Sequence, residues 1–207
     1  MWVNIYCCLL ALSGHATAGL TREVVTEGTQ LAVRCPYYLQ GKVRWSRESG
    51  GSTADILTVD GDRSTKHISD PQKRYDSQAD GSLIILRAAP SDSGRYFCNS
   101  YLAEELTVIP SGTIRRRVEE RGNVLLRCPG DVGRSAVPTW RRDSGEINER
   151  RMYFSRRDKT LTIREAEPAD SGLYYCGGKP AAYVTVTKGQ RSDRGETHEP
   201  LTIKHEA

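Results

Sequence analysis

Six cysteines and four histidines are the residues of this 207-residue chain best suited to covalent cross-linking or metal binding. Two cysteines lie in an apolar N-terminal run, and the other four are Cys35, Cys98, Cys128 and Cys176. Four cysteines can pair in three ways. The histidines are scattered and no cysteine spacing is that of a metal site, so we expect disulfides and neither a metal nor a cofactor.

The N-terminal segment indicates the redox compartment of these cysteines. Residues 1–13 carry no charge and hold an apolar run of about ten residues, which is too short for a bilayer core of roughly 30 Å but suits a signal peptide. Cleavage after Ala16-Thr17-Ala18 would remove residues 1–18. A buried helix or a signal anchor is the alternative. Secretion would place the remaining cysteines where disulfides form.

The C-terminal residues 189–207 are polar and contain no apolar stretch of about 20 residues. We therefore expect a disordered tail and a secreted, extracellular protein with no membrane span in this chain. A membrane receptor truncated before its transmembrane segment would have the same sequence, so a receptor ectodomain is the alternative.

Composition and motifs exclude several function classes. The chain is 37% hydrophobic and 27% charged with a net charge of +4, which suits a globular protein and is too weakly basic to predict nucleic-acid binding. No nucleophile elbow, phosphate-binding loop or paired metal motif occurs. We therefore expect that the protein is not an enzyme.

An internal repeat organises the chain around the cysteines. Residues 83–98 and 161–176 share nine of sixteen positions, and each block reads as a strand, a tight turn and a strand that ends at a cysteine. An alternating strand upstream of each block carries another cysteine, followed by Trp45 in one repeat and Trp140 in the other. The repeat predicts two all-β domains with one disulfide each.

These motifs resemble the immunoglobulin superfamily, which implies two tandem β-sandwiches with Greek-key connections. The cysteine separation of 63 residues in the first repeat resembles a V-type domain, predicted over residues 19–109, with an additional hairpin. The separation of 48 residues in the second resembles an I-set or C2-type domain, predicted over 110–188. The segment VRCPYYLQGKVRWSR is similar to polymeric-immunoglobulin-receptor and CMRF35-like receptors.

The resemblance assigns structural roles to several residues. Trp45 and Trp140 would pack on the disulfides, while Tyr96 and Tyr174 would each form a tyrosine corner. The resemblance also pairs Arg74 with Asp92 and Arg151 with Asp170.

The resemblance further implies binding of a cell-surface or soluble protein ligand, in immune recognition or cell adhesion. Strand alternation turns Arg44 and Phe97 outward, and tyrosine-rich loops would lie beside them. The predicted contact residues are Tyr37, Tyr38, Arg44, Phe97, Tyr101 and Leu102. The alternative is that a long neighbouring side chain covers Phe97 and that the tyrosines cap the core.

A second functional hypothesis rests on charge. Residues 111–190 hold 16 basic and 10 acidic residues, and clustered arginines can bind sulfated glycans such as heparan sulfate. The candidate residues are Arg115, Arg117, Arg141, Arg142, Arg150 and Arg151. The alternative is a solvated basic face without a ligand.

Overall fold

The computed structural model describes residues 22–37, 41–132, 138–145 and 147–189. It divides into two compact units between Ser111 and Gly112. The regular secondary structure of the described residues consists of β-strands and two short 3-10 helices, Pro90–Asp92 and Pro168–Asp170. The prediction of two β-sandwiches with one disulfide each is confirmed. The predicted signal peptide (1–18), Tyr38 and residues 190–207 of the predicted tail lie outside the described residues.

The first unit is a sandwich of a six-stranded and a three-stranded sheet. The larger sheet has the order β1-β9-β8-β3-β4-β5 and the smaller one β2-β7-β6. The strands are β1 (Arg22–Thr26), β2 (Leu31–Val33), β3 (Val43–Ser49), β4 (Ser52–Asp60), β5 (Arg63–Lys66), β6 (Tyr75–Ser77), β7 (Leu83–Ile85), β8 (Gly94–Cys98) and β9 (Tyr101–Ile109). The β4–β5 hairpin is the additional hairpin expected of a V-type domain.

The core of the first unit follows from strand alternation. Val43 and Trp45 are buried on β3 while Arg44 between them is exposed, because successive side chains of a strand point to opposite faces. Cys35 follows β2 of the small sheet and Cys98 ends β8 of the large one, so their disulfide joins the two sheets.

The second unit has the same plan with fewer strands. Its sheets have the orders β10-β16-β15-β12 and β11-β14-β13. The strands are β10 (Ile114–Glu119), β11 (Val124–Arg127), β12 (Trp140–Arg142), β13 (Met152–Ser155), β14 (Thr160–Ile163), β15 (Gly172–Cys176) and β16 (Lys179–Thr187). Between β12 and β13, the described residues form no further strand. The disulfide Cys128–Cys176 again joins the two sheets.

The two tryptophans differ in one polar contact. Trp45 is fully buried and its Nε1 donates to the carbonyl of Gly81 at 2.8 Å. Trp140 is 9% exposed, and its Nε1 has no acceptor among the described residues. A buried donor without a partner costs about 1–3 kcal/mol, so among the described residues the hydrogen bonding of the second core is less complete than that of the first.

Candidate functional site

Asp92 joins both sheets of the first sandwich at a buried position, 1% exposed. It accepts hydrogen bonds from the guanidinium groups of Arg74 and Arg47, the Tyr75 hydroxyl and the Ala89 backbone. Burial alone would raise the pKa of Asp92, but the bonds from Arg74, Tyr75 and Ala89 outweigh it, so the pKa lies below its usual range. The cluster is therefore structural, as the resemblance implied for Arg74 and Asp92.

Asp170 likewise pairs with two arginines in the second sandwich. Arg151 donates to both carboxylate oxygens, at 2.6 and 3.2 Å, and the Arg142 guanidinium lies 3.9 Å away. Arg142 also donates to the carbonyl of Ala169 and lies 5.6 Å from the Tyr174 ring centroid. Arg142 and Arg151 were predicted for a glycan site, but their side chains are only 11% and 18% exposed and pair with Asp170, so little of either guanidinium faces solvent.

Sequence reasoning missed one member of each cluster. Arg47 and Arg142 each come two residues after the buried tryptophan of β3 or β12. This spacing places them on the same face of the strand as the tryptophan, within reach of the aspartate. The repeated Trp-x-Arg pattern was the available signal.

The buried tyrosines complete the two ends. The Tyr96 hydroxyl donates to the carbonyl of Asp92 at 2.7 Å, and the Tyr174 hydroxyl to the carbonyl of Asp170 at 2.8 Å. Both are tyrosine corners of the kind that the resemblance implied. They fix the turn before β8 and β15 and leave no free hydroxyl for a ligand.

The outer face of the six-stranded sheet carries an apolar pair. Phe97 of β8 and Leu102 of β9 are register partners, and both are half-buried. The guanidinium of Arg95 lies 5.9 Å from the Phe97 ring centroid. A long side chain therefore covers part of Phe97, as the alternative interpretation allowed, and the rest of the pair faces outward.

Ion pairs between neighbouring strands neutralise the charges around this apolar pair. They are Arg44–Asp55, Arg95–Glu48 and Arg22–Glu105. Arg44, a predicted contact residue, is thus exposed but already paired with a carboxylate. Pairs this exposed contribute little to folding stability, and they leave the face with nearly balanced charge.

The β8–β9 connection corrects the predicted position of two contact residues. Tyr101 and Leu102 were expected in a loop, but they are the first residues of β9. The turn consists of Asn99 and Ser100 alone, with φ of 45° and 72°, the geometry of a two-residue hairpin. The Asn99 side chain fixes the turn by accepting from the Arg44 backbone at 2.7 Å and donating to the Lys42 carbonyl at 3.1 Å.

Tyr101 packs on Tyr37, which follows Cys35. The ring centroids are 5.5 Å apart in an edge-to-face arrangement, and the two residues are 56% and 58% exposed. Tyr101 is the register partner of Cys98, whereas Leu102 is that of Phe97. The predicted contact residues that the structure describes therefore form two neighbouring patches, one on the sheet face and one at the end of the sandwich.

A carboxyl pair lies between β1, at one edge of the same sheet, and its neighbour β9. Glu104 of β9 is half-buried beside Glu23 of β1. Burial, together with a hydrogen bond and charge repulsion from Glu23, raises the pKa of Glu104 to about 7.

The remaining predicted arginines of the second unit do not converge. Arg115 and Arg117 lie on β10, at one edge of the four-stranded sheet, and Arg141 lies on β12 at the other edge. Arg150 precedes β13 of the other sheet. No single ligand-sized surface contains the predicted set.

Comparison with known proteins decides the family. The model of the immunoglobulin V-set domain matches residues 21–118. The first unit therefore belongs to the immunoglobulin superfamily. The V-set match covers the unit that contains the β4–β5 hairpin, so strand order and family model agree on the type of the first domain.

Curated relatives match parts of this chain, and this chain spans only a small share of their own length. Inactive tyrosine-protein kinase 7 of Gallus gallus is 35% identical over 33% of this chain and 7% of its own length. Neuronal cell adhesion molecule of Gallus gallus is 33% identical over 45% of this chain. This chain spans only 6% of that protein.

Among solved structures, murine CEACAM1b is 20% identical, covers 79% of this chain and 96% of that chain, and has a TM-score of 0.35. The fold therefore rests on the strand order and the disulfides rather than on that superposition. Within the described residues, no helix has the length and apolar character needed to cross a membrane.

Proposed function

We propose that this immunoglobulin-superfamily chain is a secreted protein or a receptor ectodomain that binds a protein ligand in immune recognition or cell adhesion. Binding would use a recognition surface on the first domain. This surface comprises Tyr37, Arg44, Phe97, Tyr101 and Leu102. The protein would act by binding and not by catalysis, because the buried ionisable clusters around Asp92 and Asp170 serve the fold.

The observation that carries the proposal is the exposed, prepacked tyrosine pair. Tyr37 and Tyr101 are both more than half exposed, so the core does not require their rings. Their edge-to-face packing holds the rings in place before a ligand arrives. Rigid tyrosines give large contact areas at low entropic cost, and aromatic residues are enriched at protein interfaces.

The charges around the recognition surface favour a protein ligand over a polyanion. Each of the three ion pairs on the sheet face has no net charge. Together they would form the polar rim of an interface with an apolar centre. Binding at such a surface should depend weakly on salt.

The test uses the chain biotinylated and assembled on fluorescent streptavidin, with leukocytes and endothelial cells as binding targets. Tyr101→Ala should weaken binding at least tenfold, because a central aromatic contact contributes roughly 2 kcal/mol or more. Leu125→Ala is the control, since Leu125 is another exposed apolar residue but lies on the second unit. Binding that survives Tyr101→Ala, or that surface proteolysis of the cells leaves intact, would refute the proposal.

Binding of a sulfated glycan by the second domain is the alternative function. The observation in its favour is that one concavity of this unit is lined by three arginines that form no ion pair with any described residue. In the cell assay, binding lost after heparinase treatment would support this alternative over a protein ligand.

A further inference from the structure

A basic concavity of about 640 Å³ lies at the end of the three-stranded sheet of the second unit. Its lining includes Arg121, Arg150, Arg151, Arg164 and Tyr153, and we call it the arginine concavity. Only two of these residues, Arg150 and Arg151, belong to the set that the sequence predicted.

Strand register brings these arginines together. Arg121 lies just before β11, and its backbone donates to the carbonyl of Ala166 at 2.8 Å. Arg164 follows β14, and its backbone donates to the carbonyl of Arg151 at 2.9 Å. Arg150 precedes β13. Since β11, β14 and β13 are neighbours at about 4.8 Å, the three arginines start from backbone positions spread over roughly 10 Å.

Three of the guanidinium groups are available to a ligand. Arg121, Arg150 and Arg164 are exposed, and they form no ion pair within the part of the chain that the structure describes. Arg151 is neutralised by Asp170 and Glu167.

Tyr153 supports two of these arginines. Its hydroxyl donates to the Arg150 carbonyl at 3.0 Å, and the Arg164 guanidinium lies 4.5 Å from its ring centroid. Glu165 also lines the concavity. Its single negative charge against three unpaired arginines leaves the concavity with a positive charge.

The first sandwich indicates that the fold does not require an arginine at position 121 or 164. The backbone bonds of Arg121 and Arg164 recur there at Gly28, which donates to Ala88, and at Leu86, which donates to Arg74. Arg121 has φ of 66° and Gly28 has φ of 85°. A glycine adopts such a backbone without steric cost whereas an arginine does not. The second unit thus keeps a charged side chain at a position where the fold favours glycine.

We propose that the arginine concavity binds a sulfated glycosaminoglycan chain through Arg121, Arg150 and Arg164. The guanidinium fork matches the oxygens of a sulfate group in a bidentate manner. Backbone positions spread over roughly 10 Å allow the three side chains to contact successive sulfates of one polymer. Disulfide-bonded domains belong to oxidising compartments, where sulfated glycans rather than nucleic acids are the abundant polyanions. This inference rests on the alternative function and is independent of the protein-binding proposal.

The test measures binding of a heparin octasaccharide to the whole chain at several NaCl concentrations from 50 to 200 mM. The variant R121Q/R150Q/R164Q should bind roughly 100-fold more weakly at 0.15 M salt. This figure assumes that three contacts are lost and that each has the salt slope of about 0.7–0.9 measured for nucleic acids. The control R127Q/R156Q/R157Q removes the same charge from exposed positions at the other end of the three-stranded sheet and should bind within a few-fold of the unaltered chain.

The possible results distinguish an error about the arginine concavity from an error about glycan binding by the chain. Heparin binding that R121Q/R150Q/R164Q leaves unchanged, or that the control weakens equally, would refute the site and leave glycan binding standing. Absence of binding by the unaltered chain at 50 mM salt would refute both. Equal affinity for fully desulfated heparin or poly-glutamate would show general polyanion binding and refute the preference for sulfate.

A fold control keeps the test decisive. Thermal unfolding of the triple variant should match that of the unaltered chain. If the triple variant does not fold, R150Q alone should still weaken heparin binding about fivefold at 0.15 M salt, since it removes one such contact. No loss in a folded R150Q chain would then refute the site.

Discussion

Replacing Asp92 by asparagine removes one charge from the buried cluster of the first sandwich and changes its shape very little. The carboxylate is 1% exposed and accepts hydrogen bonds from two arginines, a tyrosine hydroxyl and a backbone N–H. Asparagine has one acceptor oxygen in place of two. Its NH2 group would face N–H or O–H donors and could not accept their hydrogen bonds. Arg74 and Arg47, with side chains 20% and 23% exposed, would be left without their counterion.

The expected cost is large compared with the stability of one domain. Removing one partner of a buried ion pair costs about 3–5 kcal/mol, and a domain has roughly 5–15 kcal/mol in total. For a domain of this size, each kcal/mol lowers the Tm by about 4–8 °C. Asp92→Asn should therefore lower the Tm of the first unit by about 12 °C or more.

Differential scanning calorimetry at pH 7 can resolve the two units. Asp92→Asn should lower one transition and Asp170→Asn the other, because the two carboxylates belong to separate compact units. Asp62→Asn is the matched control at an exposed position, and it should change the Tm by no more than about 2 °C. If Asp92→Asn behaves like Asp62→Asn, the cluster does not hold the sandwich ends together and the reasoning fails.

The same variant has a signature in its pH dependence. The pKa of Asp92 is lower in the folded chain than its usual range. Its contribution to stability is therefore present above pH 4, roughly the unfolded pKa, and is lost as the pH falls through the folded pKa. The first unit of the unaltered chain should lose stability below about pH 4. Asp92→Asn should flatten this acid limb, and an unchanged limb would assign it to other carboxylates.

Two further outcomes follow from single contacts. Trp45→Phe should cost about 1 kcal/mol more in unfolding free energy than Trp140→Phe, because among the described residues Trp45 has an acceptor, Gly81, and Trp140 has none. Equal costs in urea denaturation would contradict this. The raised pKa of Glu104 beside Glu23 means that its stabilising contribution is present below about pH 4.5 and is lost as the pH rises through about 7. Glu104→Gln should raise the unfolding free energy at pH 7 by about 1 kcal/mol after allowance for solvent screening. The variant should also flatten the dependence of this free energy between pH 5 and 7, and persistence of the slope would exclude Glu104 as its source.

The sequence was sufficient for the fold because the repeat marks residues that every such sandwich buries. The cysteines, the tryptophans and the blocks 83–98 and 161–176 lie at core or turn positions, and the structure places them there. Alternation also predicted correctly that Arg44 is exposed on β3. These inferences need only the period of a strand and the geometry of a disulfide.

The functional surfaces were less predictable because they depend on register and turn type. Arg121 and Arg164 are far apart in the sequence, and only the pairing of β11 with β14 brings their ends together. The sequence was also compatible with a long loop between β8 and β9. Because the turn consists of Asn99 and Ser100 alone, Tyr101 is the first residue of β9. Asparagine, which tolerates positive φ, was the only local sign of the tight turn.

The two sandwiches act as controls for each other, because each folds without the surface residues of the other. The turn Asn99–Ser100 corresponds to Gly177–Gly178, with positive φ at both residues of each turn. Tyr101 after the first turn corresponds to Lys179 after the second, since each pairs in register with the second cysteine. A sandwich therefore closes this hairpin without an exposed tyrosine. The same comparison makes Arg121 and Arg164 dispensable for folding, since Gly28 and Leu86 form their backbone bonds in the first unit. Substitutions at Tyr101, Arg121 and Arg164 should consequently alter binding while leaving stability nearly unchanged, unlike any substitution at Asp92 or Asp170.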